Sequence, residues 1–183
     1  MRAANAAENH AAQARVVDHV HSRLAAAALG ALAFLSPLAA SAVPQKGQPA
    51  PAFSLPALKG SGTVSLAQFK GKPVYVNFFA SWCGPCNAEA PSIGKLRAQY
   101  AKRGLVVLGV DSLDTRSAGE SFVKKYDDPY GTVAFDDAGA VGRDYGAIAM
   151  PIHVFIDRNG VVKTYVMGEM SPAQIDAAIK GIL

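Results

Sequence analysis

The sequence predicts a three-layer α/β/α domain with a mixed central sheet, and three observations lead to that prediction. Two runs, residues 74–79 and 105–110, are apolar except for Asn77, and such runs are typical of strands that are buried on both faces of a sheet. Apolar residues with helical spacing follow each run, as in a fold where strands and helices alternate. Finally, Asn159-Gly160 separates two further apolar runs, which indicates a hairpin and therefore an antiparallel pair in the sheet.

The first 42 residues are predicted to be a targeting leader that does not belong to the fold. Arg23 precedes the apolar or small residues 24–35, and Ala40 and Ala42 have the spacing that signal peptidase requires for cleavage after Ala42. The alternative is an uncleaved anchor over residues 24–42, which would span about 28 Å as a helix and tether the protein to the inner membrane. Both alternatives predict export to the periplasm, where disulfides form and persist.

The remaining chain is predicted to form one domain over residues 51–183, joined to the leader by a Pro/Gly/Gln linker at 43–50. Gly104 and Gly146 are the expected ends of two of its helices, and Ser171-Pro172 is the expected start of the last one. In chain order, the predicted elements are an N-terminal β-hairpin of strands 52–55 and 63–65, a helical turn at 66–69, the strand 74–79, a helix from Cys83 to near Arg103 with Pro91 inside it, the strand 105–110, a helix at 116–127, a strand at 133–135, a helix at 138–145, strands at 152–157 and 161–167, and a helix at 172–182.

The strongest chemical signal is the pair Cys83 and Cys86, at the point where a buried strand turns into a helix. The first turn of a helix has unpaired N–H groups and the positive end of the dipole, and both favour a thiolate over a thiol. A lowered pKa makes a cysteine nucleophilic near neutral pH. Because the second cysteine is three residues further on, the pair can close to a disulfide. We therefore expect a redox-active pair that needs no metal and no other cofactor.

Composition bears on the alternatives to a redox pair. A structural zinc site needs four protein ligands, but the chain has two cysteines, and three of its four histidines lie in the predicted leader. A purely structural disulfide remains an alternative, although so short a loop constrains the unfolded chain little. The 18 Lys and Arg residues stand against 14 Asp and Glu residues and are scattered along the chain, so no nucleic-acid partner is expected.

Residues 47–183 resemble the thioredoxin-like proteins of the TlpA/ResA type, exported thiol-disulfide oxidoreductases that include cytochrome c maturation factors. The resemblance implies a thioredoxin-like fold and places the αβ pair near 116–135 as an insertion. It covers essentially the whole chain after the leader. The motifs that carry it are QPAPAF at 48–53, GKPVYVN at 71–77, WCGPC at 82–86 with Glu89 and Pro91, Met150-Pro151, and IDRNG at 156–160.

The resemblance implies a role for each residue of the motif. Cys83 would be the exposed nucleophile and Cys86 the buried resolving thiol. Pro151 would be a cis-proline facing the cysteines, with the Met150 backbone positioned to pair with an extended substrate segment; the alternative for Pro151 is an ordinary edge-strand proline. Met150 departs from the commoner threonine or valine, which affects partner preference. Trp82 would form part of the surface around Cys83, and simple packing is its alternative.

Three further positions concern proton transfer or metal binding. Glu89 matches the family's active-site glutamate, and a carboxylate beside a thiol pair raises the thiol pKa values and can take up a proton. The alternative for Glu89 is a solvated carboxylate early in a helix. Asn77 stands where thioredoxins have a buried aspartate, and it cannot ionise. His153 occupies a strand position that is usually small and polar in the family, and we expect it to be structural rather than a metal ligand or base.

The resemblance implies a reductase of protein disulfides that receives electrons from a membrane thiol transporter. Its substrates would be apocytochrome c cysteines or the thiols of a copper-site or assembly protein. An oxidase role stays open, because direction follows from potential and partners. A peroxiredoxin-type thiol peroxidase is an alternative, but Val76 and Ala80 occupy the positions that would need Pro and Thr. A Sco-like copper carrier is another, although such proteins use CxxxC and a distant histidine.

Overall fold

The protein is described by a computed structural model over residues 43–183. The predicted leader at 1–42, with its cleavage site and the alternative anchor over 24–42, lies outside the described residues. Within 43–183, no helix is both long enough and apolar enough to cross a bilayer.

The elements follow one another in the predicted order, and their ends shift by only a few residues. The helix that follows the cysteine pair, Gly84–Tyr100, runs through Pro91 without interruption, and Gly104, in a left-handed conformation, follows the short 3-10 turn after it. The strands are β1 (Ser54–Pro56), β2 (Thr63–Ser65), β3 (Val74–Phe79), β4 (Val106–Ser112), β5 (Gly131–Asp136), β6 (Ile152–Ile156) and β7 (Val162–Met167). The helices are α1 (Gly84–Tyr100), α2 (Arg116–Lys125), α3 (Ala140–Asp144) and α4 (Pro172–Lys180), with 3-10 turns at Leu66–Phe69 and Ala101–Arg103.

Strand β3 is at the centre of a five-stranded sheet with the order β5-β4-β3-β6-β7. The pairs β3–β4 and β4–β5 are parallel, whereas β3–β6 and β6–β7 are antiparallel. All six residues of β3 are buried, including Asn77, as its mostly apolar run predicts. The mixed sheet of the predicted fold class is therefore confirmed.

Both faces of the sheet are covered, and β3 divides its side chains between them. Because successive side chains of a strand point to opposite faces, Tyr75, Asn77 and Phe79 share one face. There Tyr75 and Phe79 belong to an apolar cluster with residues of α1, α2 and α4. On the other face, Val76 and Phe78 belong to a second cluster with residues of the β1–β2 hairpin and Tyr145, which follows α3. The polar side chain of Asn77 thus lies on the face that α1 covers.

Two segments outside the central strands shape the edges of the sheet. The insertion consists of α2 and β5, and it adds a parallel edge strand beside β4. Residues 47–50, part of the predicted linker, lie instead against the β6–β7 hairpin: the Gly47 N–H donates to the Val162 carbonyl at 2.8 Å and the Ala50 N–H to the Gly160 carbonyl at 3.0 Å. An edge strand has free backbone groups, which explains why residues 47–50 can hydrogen-bond to the start of β7 and the turn before it.

Candidate active site

The two cysteines lie at the N-terminus of α1, immediately after the C-terminal end of β3. Cys83 is the N-cap residue, its Sγ accepts the Cys86 N–H at 3.2 Å, and Pro85 lies in the first turn, where its missing N–H costs nothing. The two sulfurs form a disulfide. Spacing and chain direction therefore place the pair where a helix N-terminus stabilises a thiolate once the disulfide is reduced.

The expectation that Cys83 is exposed is wrong for this oxidised form. Cys83 is only 4% exposed and Cys86 only 1%, and both belong to the apolar cluster beneath α1. The physical reason is that the Cys83 sulfur bonds back to Cys86 over the first turn of the helix and packs among its apolar neighbours.

Trp82 is on the surface immediately before the pair, with 63% of its area exposed. Its indole Nε1–H donates to the Leu113 carbonyl at 3.0 Å, and the neighbouring Ser81 N–H donates to Asp114 Oδ2 at 2.6 Å. The simple packing alternative for Trp82 does not fit so exposed a ring. The loop between β4 and α2 thus holds the cysteine loop in place, and the indole face stays open to solvent.

Met150 and Pro151 lie next to the same cluster. The peptide bond between them is cis, as the resemblance implies, and Pro151 is buried. Met150 is partly buried and packs against the cluster that contains both cysteines. The Pro151 carbonyl accepts the Gly168 N–H at 2.8 Å, which fixes this turn against the end of β7.

Glu89 is buried, with 4% of its surface exposed, so the alternative of a solvated carboxylate is wrong. It follows Cys86 by three residues in α1, and residues at this spacing are neighbours on one helix face. Its Oε1 accepts the Met170 N–H at 2.6 Å. Burial raises the pKa of Glu89 to about 7; the Met170 hydrogen bond opposes this rise and the nearby Glu169 adds to it. Near neutral pH the group can therefore both hold and release a proton.

His153 is fully buried and lies beside Glu89, with its Nε2 3.5 Å from Glu89 Oε2. Its Nδ1 is 2.7 Å from the Tyr75 hydroxyl and 3.3 Å from Asn77 Nδ2. Burial lowers the pKa of His153 to about 4, and an interaction with the Gly168 backbone opposes this only in part. The imidazole is therefore neutral at pH 7. The prediction that His153 is structural did not include its contact with the carboxyl group of Glu89.

Sequence reasoning missed Tyr75 and Tyr130, which complete this buried polar network. The Tyr130 hydroxyl donates to Asn77 Oδ1 at 2.8 Å, and Asn77 Nδ2 donates to the Ile152 carbonyl at 3.2 Å. Alternation along β3 puts Tyr75 and Asn77 on one face, which is a signal that the sequence contains. The residue opposite Asn77 depends on the register between β3 and β6, which pairs Asn77 with His153.

A second buried carboxyl group, also missed, lies at the end of β4. Asp111 is fully buried, pairs with Phe79 in the sheet, and packs so closely against Gly119 of α2 that a Cβ there would have no room. Burial raises the pKa of Asp111 to about 8; the nearby Asp114 adds to the rise and Arg116 opposes it. Strand β4 extends beyond its predicted end because Asp111 continues the ladder to β5.

Within residues 43–183, no three His, Cys, Asp or Glu side chains gather as the ligands of a metal ion would. The chemistry that the described side chains support is instead thiol–disulfide exchange beside a buried acid.

Comparisons with known proteins agree with this geometry. The sequence matches the Redoxin family over residues 45–179. A thiol-disulfide oxidoreductase ResA of Bacillus thuringiensis subsp. konkukian is 35% identical over 136 residues, which cover 74% of this chain and 78% of that protein. The thiol:disulfide interchange protein DsbE of Escherichia coli K12 is 34% identical over 136 residues, 73% and 71% of the two chains.

Solved structures give the same answer for the fold. A secreted disulfide oxidoreductase of Mycobacterium tuberculosis, homologous to E. coli DsbE, superposes with a TM-score of 0.64 at 29% identity, over 70% of this chain and 95% of that chain. The mixed sheet, the helix that begins at the cysteine pair and this superposition confirm the thioredoxin-like fold. The chain therefore belongs to the redoxin family, as a thiol-disulfide oxidoreductase of the ResA/DsbE type.

Proposed function

We propose that this protein is exported and reduces disulfide bonds of other proteins through the Cys83–Cys86 pair. The observation that carries the proposal is the position of the pair: a disulfide at a helix N-terminus, with the buried carboxyl group of Glu89 one turn further along the same helix. The helix N-terminus stabilises the attacking thiolate, and the carboxyl group supplies a proton acceptor for the second cysteine.

The reaction transfers two electrons from the dithiol to a substrate disulfide. The Cys83 thiolate attacks one substrate sulfur, a mixed disulfide forms, and the other substrate sulfur leaves and takes up a proton. The Cys86 thiol then gives its proton to Glu89 and attacks the Cys83 sulfur. The bond between Cys83 and the substrate breaks, the second substrate thiol is released, and the Cys83–Cys86 disulfide is formed.

The finer parts of the proposal concern location and partners. The predicted leader over residues 1–42 supports export, with a tether through 24–42 if it is not cleaved. Reduction of the pair then needs an electron donor on the outer side of the membrane, and a membrane thiol transporter is the class that fits. The resemblance to cytochrome c maturation factors supports apocytochrome c cysteines, or the thiols of a copper-site or assembly protein, as substrates.

The first test measures the reduction potential of the pair in the purified full-length chain, equilibrated against a thiol/disulfide buffer. We expect a value near that of thioredoxin, about −270 mV, which would make the dithiol a reductant of other proteins. A value near that of a strong periplasmic oxidant, about −120 mV, would contradict the reductase direction and make the protein a disulfide donor.

The second test traps the intermediate. Cys86→Ser should accumulate a mixed disulfide between Cys83 and a disulfide-bonded protein substrate, because no resolving thiol remains to break it. Cys83→Ser is the matched control and should form none. Equal trapping by the two variants would contradict the assignment of Cys83 as the attacking residue.

A further inference from the structure

We propose that His153 is a positioning residue for Glu89: it directs its Nε2–H at the carboxyl group and so keeps Glu89 a proton acceptor for Cys86. This inference deepens the proposed function and rests on it. The supporting observations concern three side chains around the imidazole, and each fixes the orientation of the next.

The first step is the orientation of the Asn77 amide. The amide nitrogen of Asn77 lies 3.2 Å from the Ile152 carbonyl, which can only accept a hydrogen bond. The Tyr130 hydroxyl donates to the amide oxygen on the other side. The nitrogen is therefore the atom that also lies 3.3 Å from His153 Nδ1, and it brings an N–H to that atom.

The second step is the tautomer of His153. Its Nδ1 faces two groups, the Asn77 N–H and the Tyr75 hydroxyl at 2.7 Å, and the amide can only donate. The neutral imidazole has one donor and one acceptor nitrogen, so Nδ1 accepts and Nε2 carries the proton. Burial keeps the ring neutral, because it lowers the pKa of His153 to about 4.

The third step is what this proton faces. Nε2 lies 3.5 Å from Glu89 Oε2, longer than an ordinary hydrogen bond, and neither atom is hydrogen-bonded to another group among residues 43–183. The other carboxyl oxygen accepts the Met170 N–H. Both oxygens of Glu89 thus face an N–H group, and N–H donors favour the carboxylate over the protonated acid.

Burial and the charges around Glu89 oppose this preference for the carboxylate form. Burial and the nearby Glu169 both raise its pKa. Tyr75 and Tyr130 stay neutral, because burial raises the pKa of each well above its ordinary value. The Met170 hydrogen bond opposes burial and Glu169, and together these three bring the pKa of Glu89 to about 7. The Nε2–H adds a second donor that favours the carboxylate, so its removal should raise that pKa.

The test is the pH dependence of mixed-disulfide resolution in single-turnover experiments on the full-length chain. In His153→Leu, the pH of half-maximal rate should move up by about one unit, which is about a tenfold loss of rate below that pH. His153→Gln can present an N–H to Glu89 and should recover most of the rate. Tyr75→Phe removes one of the two groups facing Nδ1 and should move the profile less than His153→Leu does.

A double-mutant comparison separates positioning from a merely structural role. In a Glu89→Gln background, where no carboxylate remains, His153→Leu should have no further effect on the pH profile. An equal effect of His153→Leu in both backgrounds would overturn the proposal.

Nitrogen NMR of His153 in the unmodified protein tests the tautomer without any substitution. It should show Nε2–H from pH 5 to pH 8, and an Nδ1–H tautomer would overturn the proposal even if the variants fail to fold. If Cys86→Ser traps no mixed disulfide while NMR finds Nε2–H, the proposed function fails and the tautomer stands.

Discussion

The two buried carboxyl groups, Glu89 and Asp111, have different surroundings although both have raised pKa values. Glu89 accepts the Met170 N–H and lies 3.5 Å from His153 Nε2, and its pKa is about 7. The oxygens of Asp111 have no hydrogen-bond partner among the described residues, Asp114 is near, and its pKa is about 8. A carboxyl group without donors is held in the folded protein as the neutral acid. Asp111 should therefore affect stability more than the chemistry of the cysteines.

We predict that Asp111→Asn flattens the dependence of stability on pH. In the unfolded chain Asp111 ionises near its ordinary value of 3.8, whereas in the folded protein it ionises near 8. Between these values the folded state binds one more proton, so the free energy of unfolding contributed by this group falls as pH rises from about 4 to about 8 and then levels off. The asparagine variant does not titrate and should lose this fall.

The measurement is the urea midpoint at pH 5 and at pH 8, compared between the unmodified chain and Asp111→Asn. The exposed Asp144 offers a matched control, and Asp144→Asn should keep the unmodified pH dependence. If Asp111→Asn and the unmodified chain lost the same stability between the two pH values, the raised pKa of Asp111 would be refuted.

At the scale of elements, the insertion contacts the loop that carries the cysteines. Asn87 of α1 connects them: its Nδ2 donates to the carbonyls of Ser81 and Cys83 at 2.9 and 2.8 Å. Its Oδ1 accepts the Tyr126 hydroxyl at 2.8 Å and Lys125 Nζ at 3.2 Å, both from the end of α2. One amide thus fixes the cysteine loop to the added helix.

We predict that Asn87→Ala loosens the cysteine loop and lowers the free energy of unfolding by about 1–3 kcal/mol, since a net hydrogen bond contributes about 1 kcal/mol. Tyr126→Phe removes a single one of these bonds and serves as the matched control, with a smaller loss. Amide hydrogen exchange at residues 81–83 reports the loosening directly. Unchanged exchange at these amides in Asn87→Ala would show that the loop is held by other contacts, such as that of Ser81 with Asp114.

At the scale of the whole molecule, contacts of residues 47–50 with the β6–β7 hairpin hold the domain together alongside its two apolar clusters. Residues 47–50 make three backbone hydrogen bonds with Gly160 and Val162, at 2.8, 3.0 and 2.9 Å. The last helix, α4, contributes Ile175 and Ile179 to the cluster that contains the cysteines. Residues 47–50 therefore stabilise the β6–β7 hairpin, which lies more than 100 residues later in the chain.

We predict that a chain starting at Pro51 is less stable than a chain starting at Val43 by about 1.5–4.5 kcal/mol, since it lacks three hydrogen bonds that contribute about 0.5–1.5 kcal/mol each. Urea unfolding of the two chains, monitored by the fluorescence of Trp82, makes the comparison. Equal midpoints for the chains starting at 43 and 51 would mean that the segment 47–50 does not stabilise the domain.

The order of the strands and helices could be predicted from the sequence, as could the hairpin around Asn159-Gly160 and the position of the cysteine pair at the start of α1. These features depend on local properties: apolar periodicity, turn residues and the first turn of a helix. Their short range is why they could be predicted with few errors.

Tertiary structure alone decided which side chains surround the cysteines and how far these are buried. The register of β3 against β6 puts Asn77 opposite His153, and α1 packs Glu89 onto the same face of the sheet. The burial of Cys83 and the raised pKa of Asp111 arise in the same way. Strand register and burial bring together residues that are far apart in the chain. The spacing of residues along the sequence therefore does not predict these contacts.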